Sequence, residues 1–414
     1  MRPPAGSRIP LPSTDPGCYH NGVQTNESAP SAAVQPVPML DLKRQYQPLY
    51  NELMEAMGRV LETQQFILGA EVAAFEQEAA AQLSVAHAIG CSSGTDALWL
   101  ALAAAEIGPG TAVVTTPFSF FASVSAILRA GATAKLADID PVTFDLSAPA
   151  VASLLASEAG KDVKAVLPVH LYGQPARGFF SGFGAEHGVK VIEDAAQAWG
   201  AEWQGTKAGA LGDAAAFSFY PTKNLSAAGD AGMVTTNSDQ LAERARMLRQ
   251  HGMRRRYYHD EIGWNTRLDG FQGAVLRVKL NYIEGWNQAR RTVAERYNAL
   301  FRAAGLAEAG PYPAKGVVLP TEAAGARSVW HQYVIRTPRR DALRAFLSER
   351  KIGSEVYYPV PLHLQEPLAC LGYKAGDFPE AERAAGEVLA LPIFPELRED
   401  EQQIVVKAIA EFLS

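Results

Sequence analysis

The chemistry open to this chain rests on one amine, one carboxylate and a few hydroxyl and amide groups. In FSFYPTKN, Phe217 to Asn224, an apolar run of strand character stops at Pro221 and a single cation follows at Lys223. A lysine partly desolvated at such a place has a lowered pKa and enough free amine to attack a carbonyl. The plain alternative is a solvated loop lysine. Upstream, VIEDAAQAWG ends an apolar strand in Glu193-Asp194, with two alanines after it that are small enough to let a ring approach. A carboxylate there can pair with a protonated ring nitrogen and keep it charged, or it can cap a helix. Gln197 is within reach of the same ligand's edge.

Two more stretches belong with these. In GCSSGTDAL, Gly90 to Leu98, small hydroxylated residues and a glycine stand just before a strong helical run. Backbone N–H groups at a helix start, with the macrodipole behind them, cradle a phosphate; an ordinary N-cap by Ser93 or Thr95 is the alternative. In TTPFSFFAS, Phe118, Phe120 and Phe121 follow a strand and begin a helix. One ring there can lie over a flat ligand while the others pack in the core. Ser218 and Lys223 flank the end of the next strand. A phosphate cradle, a stacking ring, an aspartate for a pyridine nitrogen, and a serine beside a Schiff-base lysine match one cofactor, pyridoxal 5′-phosphate.

The elements that must position these groups alternate between strand and helix. SSGTDALWLALAAA is helical, TAVVTTP a short β-rich run and FASVSAILRAGA helical again, followed by the strands AKLADID, VKAVLPVH and KVIEDAA. Near-continuous apolar strands alternating with helices predict a mostly parallel sheet covered on both faces, and such sheets bind ligands beyond the carboxyl ends of their strands. The pattern divides the chain into a disordered Pro/Ser/Gly-rich tail over 1–36, a large cofactor-binding domain over 37–280 with an N-terminal helical segment, and a smaller C-terminal α/β domain over 281–414.

Composition sets the outer limits. The chain has 414 residues, 48% hydrophobic and 20% charged, with a net charge of −6. No apolar run is long enough to span a bilayer, and the acidic balance argues against nucleic acid as a partner. Three widely spaced cysteines (Cys18, Cys91, Cys370) and eight scattered histidines without an HxH or HxxxH pair form neither a disulfide framework nor a metal site. A cytoplasmic setting is expected.

Taken together, QQFILGAEVAAFE, SSGTDAL, ADIDPVTFDL, PVHLYGQ, IEDAAQAWGA, GDAAAFSFYPTKNL, GWNTRLDGFQGAVLRVKL and YYPVPLH resemble the nucleotide-sugar aminotransferases, a family of fold-type I pyridoxal-phosphate enzymes. The resemblance runs from MLDLKRQY to the C-terminus. It implies that Lys223 is the Schiff-base lysine and general base, that Asp194 holds the pyridine nitrogen, and that Phe120 stacks on the ring. It further implies that Gln197 touches the ring hydroxyl and that Gly94, Thr95 and Ser218 bind the phosphate. Asn265 in GWNTRLD would reach the phosphate of a neighbouring subunit, so a homodimer with shared sites is implied. Two positions depart from the family pattern: Cys91 replaces a small aliphatic residue, and LDGFQGA replaces Leu-Asp-Glu-Leu-Gln-Ala. Dehydratases of this fold have histidine in place of the lysine, so dehydration is not expected.

The implied reaction takes nitrogen from L-glutamate and gives it to a keto-sugar carried by a nucleotide diphosphate. Arg256 and Tyr257, in MRRRYYH, are expected on the diphosphate or base, and His331, Tyr358 and His363 near the sugar. The YPVPLH segment looks more like enzymes of 3-keto than of 4-keto sugars. An aminocyclitol-type transaminase and a non-catalytic, cofactor-binding regulator are the alternatives.

Overall fold

The computed structural model describes residues 36–180 and 182–414. The tail expected over 1–36 thus falls, but for Pro36, outside the described residues. Pro36–Ser414 forms one compact unit.

Seven strands build the central sheet: β1 (His87–Cys91), β2 (Ala112–Thr115), β3 (Thr133–Leu136), β4 (Val163–Val166), β5 (Lys190–Asp194), β6 (Ala214–Ser218) and β7 (Gly232–Thr236). Their order across the sheet is β1-β7-β6-β5-β4-β2-β3. The pairings from β6 through β5, β4 and β2 to β3 are parallel. β7 runs against both of its neighbours, so the sheet is mixed with one reversed strand. β2 and β7 are buried along their whole length, as the centre of a sheet covered on both faces requires. The apolar pattern marks such strands as buried but does not give their direction.

This topology sets the carboxyl ends of β1, β2, β5 and β6 along one edge, because those four strands point the same way. β7 begins at that edge, and its Gly232 pairs with Cys91 on one side and with Ser218 on the other. The loops after β1 and β6, far apart in sequence, are therefore side by side.

Beyond the sheet, helix Ile283–Ala303 leads to strands Tyr333–Arg336 and Val388–Leu391, which pair antiparallel, with helices Arg340–Glu349 and Glu399–Leu413 nearby. SEVYYP is an irregular segment, bridged to the Val388–Leu391 strand from Glu355 to Ala390. A continuous hydrophobic cluster extends from Val37 and the Gly94–Ala104 helix through the sheet to Ile335, Leu389 and Ile409. Among the described residues no helix is long and apolar enough to cross a membrane.

Candidate active site

The helix Gly94–Ala104 starts at the end of β1. Ser93 caps it: its Oγ accepts the N–H of Asp96 at 3.1 Å, and its hydroxyl donates to Asp96 Oδ2 at 2.9 Å. The N-cap reading is therefore correct for Ser93 and leaves the first two helical N–H groups, of Gly94 and Thr95, without an acceptor among the described residues. A Cβ on Gly94 would lie 2.5 Å from Ser218 Cβ and 2.9 Å from its Oγ. Only glycine lets the helix start approach the end of β6 this closely. The result is two unspent N–H donors beside a serine hydroxyl at a helix N-terminus, a set of donors that suits a phosphate.

Asp194 ends β5 and is almost sealed, at 4% exposure. Its Oδ2 accepts from Ser123 Oγ at 2.7 Å and its Oδ1 from the Ala196 N–H at 3.2 Å. Burial raises its pKa above the usual carboxylate value, and the Ser123 bond, the Ala196 bond and nearby Lys223 and His170 oppose the rise. The next-door Glu193 points to the other side of the strand. It accepts from His170 Nε2 at 2.8 Å, from Gly209 N at 2.8 Å, and from Leu211 N and Gly212 N at 2.9 Å each. Glu193 thus braces the scaffold, while Asp194 is the carboxylate on the side of Ser123 and Lys223.

Lys223 follows a tight turn in which its N–H donates to Tyr220 O at 2.8 Å. The residue is half-buried, but enough protein surrounds the amine that desolvation lowers its pKa to about 8, against the opposing pull of Asp194. The following residue, Asn224, is buried. It donates to Asn287 Oδ1 at 2.9 Å and to Val329 O at 3.0 Å, and its Oδ1 lies 3.0 Å from His331 Nδ1. His331 is buried too, and desolvation first, then the Lys223 and Arg290 charges, holds its pKa well below the ordinary histidine value. Its backbone reaches the site because Gly173 (φ 100°) has no side chain; a Cβ there would meet His331 N at 2.8 Å.

Gln197 accepts the Tyr172 N–H at 2.7 Å and donates to the Tyr358 hydroxyl at 3.2 Å. Burial, and then nearby Asp194, pushes the Tyr358 phenol upward. Of the three phenylalanines after β2, Phe118 is sealed in the core while Phe120 is 60% exposed, 6.3 Å from the Tyr358 ring. Phe120 is therefore the ring free to cover a ligand.

The remaining expected residues lie apart from this cluster. His363 is buried, bonded to Glu382 at 3.0 Å and edge-on to Phe378 at 4.8 Å; only its backbone neighbour Leu362 meets the β2 loop, donating to Pro117 O at 2.7 Å. Arg256 and Tyr257 sit on an exposed hairpin, with the guanidinium 5.0 Å from the Tyr257 ring centre. Within that run Arg254 is paired with Glu243 and Asp260. No hydrogen bond or ring contact joins the hairpin to Lys223 or Asp194 among the described residues. Asn265 is exposed and accepts from Arg267 at 3.0 Å, next to Thr266, whose carbonyl takes the Ser92 N–H at 3.0 Å. Cys91 is sealed, and burial raises its pKa far out of the reactive range.

Sequence reasoning missed Ser119, Ser123, Tyr172 and Asn224. Each lies within a stretch quoted above but is a common polar residue that no spacing singles out; only the fold brings its partner to it.

The model of the DegT/DnrJ/EryC1/StrS aminotransferase family matches residues 48–410. A pleiotropic regulatory protein of Geobacillus stearothermophilus is 48% identical over 377 residues, 91% of this chain and 98% of that protein. A dTDP-3-amino-3,4,6-trideoxy-α-D-glucose transaminase of Streptomyces venezuelae is 42% identical, over 91% of this chain and 96% of that protein. The crystal structure of S. venezuelae DesV in complex with a ketimine intermediate superposes with a TM-score of 0.85 at 40% identity, covering 92% of this chain and 99% of that one.

Proposed function

The chain belongs to the DegT/DnrJ/EryC1/StrS aminotransferase family and is an aminotransferase dependent on pyridoxal 5′-phosphate, and from that premise we propose that it moves an amino group from L-glutamate to carbon 3 of a nucleotide-linked keto-sugar. The observation that carries the reading is the meeting, at one sheet edge, of a desolvated Lys223 amine, a sealed Asp194 carboxylate and the unspent N–H donors of Gly94 and Thr95 beside Ser218.

The donor set fits the cofactor, which when bound supplies a carbonyl for amine exchange and a ring that takes up electrons. Gly94, Thr95 and Ser218 would hold its phosphate. Asp194 would pair with the ring nitrogen and favour its protonated form. Phe120 would lie against the ring, and Gln197, oriented by the Tyr172 N–H, would be the amide available to it. Lys223 would be the tethering amine and the base that moves protons at the donor's α-carbon and the sugar carbon. A pKa of about 8 suits both roles near neutral pH.

Tyr358 and His331 are taken as the sugar-side groups and the Arg256–Tyr257 hairpin as the diphosphate side; His363, whose ring is turned to Glu382 and Phe378, is not among them. Asn265, exposed on its own subunit, completes the phosphate site of a second copy in a homodimer. The S. venezuelae relative is named for a 3-amino sugar, which supports the 3-keto assignment. We place the enzyme in the cytoplasm, making amino sugars for cell-surface polysaccharide.

The test is the visible absorbance of the cofactor-loaded protein before and after L-glutamate, followed by 3-keto and 4-keto nucleotide sugars. Bleaching by glutamate and recovery with the 3-keto sugar is the expected result; recovery with only the 4-keto sugar or a cyclitol ketone overturns the substrate. Lys223→Ala should abolish turnover, and Asp194→Asn should slow it by orders of magnitude with the fold intact. One second reading has an observation behind it, the regulatory name of the 48% identical relative: a protein that binds the cofactor without turnover. A loaded protein whose colour no amino donor changes would favour it.

A further inference from the structure

Beside Asp194 lie two buried serines that the proposed mechanism does not use. Ser123, fully buried, and Ser119, 3% exposed, have their hydroxyl oxygens 2.8 Å apart, and Ser123 Oγ is 2.7 Å from Asp194 Oδ2. A serine near a helix start ordinarily bonds back to a local backbone group. Ser123, second residue of the helix Ala122–Arg129, instead spends its hydroxyl on a carboxylate 71 residues away.

The direction of the chain follows from proton counting. An ionised carboxylate only accepts, so Ser123 must donate to it; a hydroxyl has one hydrogen, so Ser123 must accept from Ser119. The order is Ser119 to Ser123 to Asp194, and Ser119 has no other side-chain partner among the described residues. A protonated Asp194 would not need this polarity.

We propose that Ser123 is a positioning residue for Asp194, fixed by Ser119, which orients the carboxylate through Oδ2. This rests on the cofactor reading given above for Asp194. The other groups facing that carboxylate are Lys223 and His170, which favour its charge, and Tyr358, whose phenol sits on the cleft side. With Oδ2 committed to Ser123, Oδ1 carries only the longer 3.2 Å bond from Ala196 and is the oxygen left for a ring nitrogen.

The test uses the full-length chain as wild type, Ser123→Ala, Ser123→Thr and Ser119→Ala. The Asp194 carboxyl is followed by 13C NMR titration without cofactor, and pyridoxal phosphate binding is titrated against pH in parallel. Ser123→Ala should move the carboxyl titration up by about one unit, the order expected for one lost charge-assisted hydrogen bond. It should also weaken cofactor binding roughly tenfold and shift the acid limb of binding upward. Ser123→Thr, which keeps a hydroxyl, should restore all three, and Ser119→Ala should shift them in the same direction by less. Superimposed titrations for wild type and Ser123→Ala overturn the proposal. So does an equal loss in the Ala and Thr variants, because that marks packing and not the hydroxyl. A wild-type chain that takes up no cofactor sinks the functional reading alone, since the NMR arm still decides what Ser123 does.

Discussion

His331 Nδ1 lies 3.0 Å from Asn224 Oδ1, one residue beyond Lys223, and this contact fixes the tautomer of the imidazole. The Asn224 amide nitrogen is already donating to Asn287 Oδ1 and Val329 O. Its oxygen is therefore the acceptor and the hydrogen sits on His331 Nδ1, which leaves Nε2 as a lone-pair acceptor. Burial and the nearby Lys223 and Arg290 charges keep the ring neutral. The expected 15N NMR signature is a protonated Nδ1 and a bare Nε2, with the imidazolium forming only well below the ordinary histidine range. Asn224→Ala should scramble the tautomer and, by leaving buried partners unpaired, cost about 2–3 kcal/mol in chemical denaturation. A ring that titrates near pH 6.5 in the wild type would contradict the assignment.

The lowered pKa of Lys223 makes a prediction that needs no cofactor. Only the neutral amine is nucleophilic, so competitive acylation of the cofactor-free protein, read by mass spectrometry at Lys223, should rise through a midpoint near pH 8. An exposed lysine titrates near 10.4. Asp194 is the charge that holds Lys223 up against desolvation, so Asp194→Asn should move the midpoint lower still. A midpoint above pH 10 would return Lys223 to the status of a solvated loop residue.

Gly94, at the start of a helix, and Ser218, at the end of β6, are 124 positions apart in the chain numbering, yet a Cβ on the first would sit 2.5 Å from the Cβ of the second. Gly94→Ala should force the two loops apart, costing about 1–3 kcal/mol as an overpacking change and raising the cofactor Kd at least tenfold on fluorescence titration. Adding Ser218→Gly removes the nearest atoms of the clash, though Ser218 Cα remains at 3.1 Å. The double variant should therefore recover most of the stability but not the affinity, because the hydroxyl proposed to hold the phosphate is gone. Full recovery of affinity would show that Ser218 contributes space and no bond.

Which parts were legible in the sequence follows from the same geometry. Lys223, Asp194, Gly94 and Ser218 could be read because each stands where an apolar strand gives way to small or polar residues, and a mostly parallel sheet gathers such ends at one edge. The reversal of β7 could not: GMVTT is buried on both faces, and nothing in its composition says which way it runs. Ser123 and Asn224 carry no periodic signal, since their partners are 71 and 107 residues away. His363 illustrates the converse. Its motif drew attention, but its ring faces Glu382 and Phe378, a pairing set by the packing of helix Pro379–Glu387.

Lys279 tests how burial of a charge behind the site shapes stability. It is fully sealed, donates to Tyr46 Oη at 3.2 Å and to Ser226, three residues beyond Lys223, and its ammonium lies 4.4 Å from the centre of the Tyr46 ring. Desolvation lowers its pKa to about 7, below the value of an unfolded chain. Between about pH 7 and pH 10 the unfolded state therefore binds more protons at this residue, and its contribution makes stability rise with pH over that window. Lys279→Met removes the term while filling most of the volume. The difference in unfolding free energy, wild type minus variant, should grow by on the order of 1–2 kcal/mol from pH 7.5 to 9, and urea denaturation at the two pH values measures it. Parallel pH profiles would mean that the ring faces of Tyr46 and Trp286 and the Ser226 bond keep the ammonium charged throughout, so that cation–π attraction outweighs desolvation.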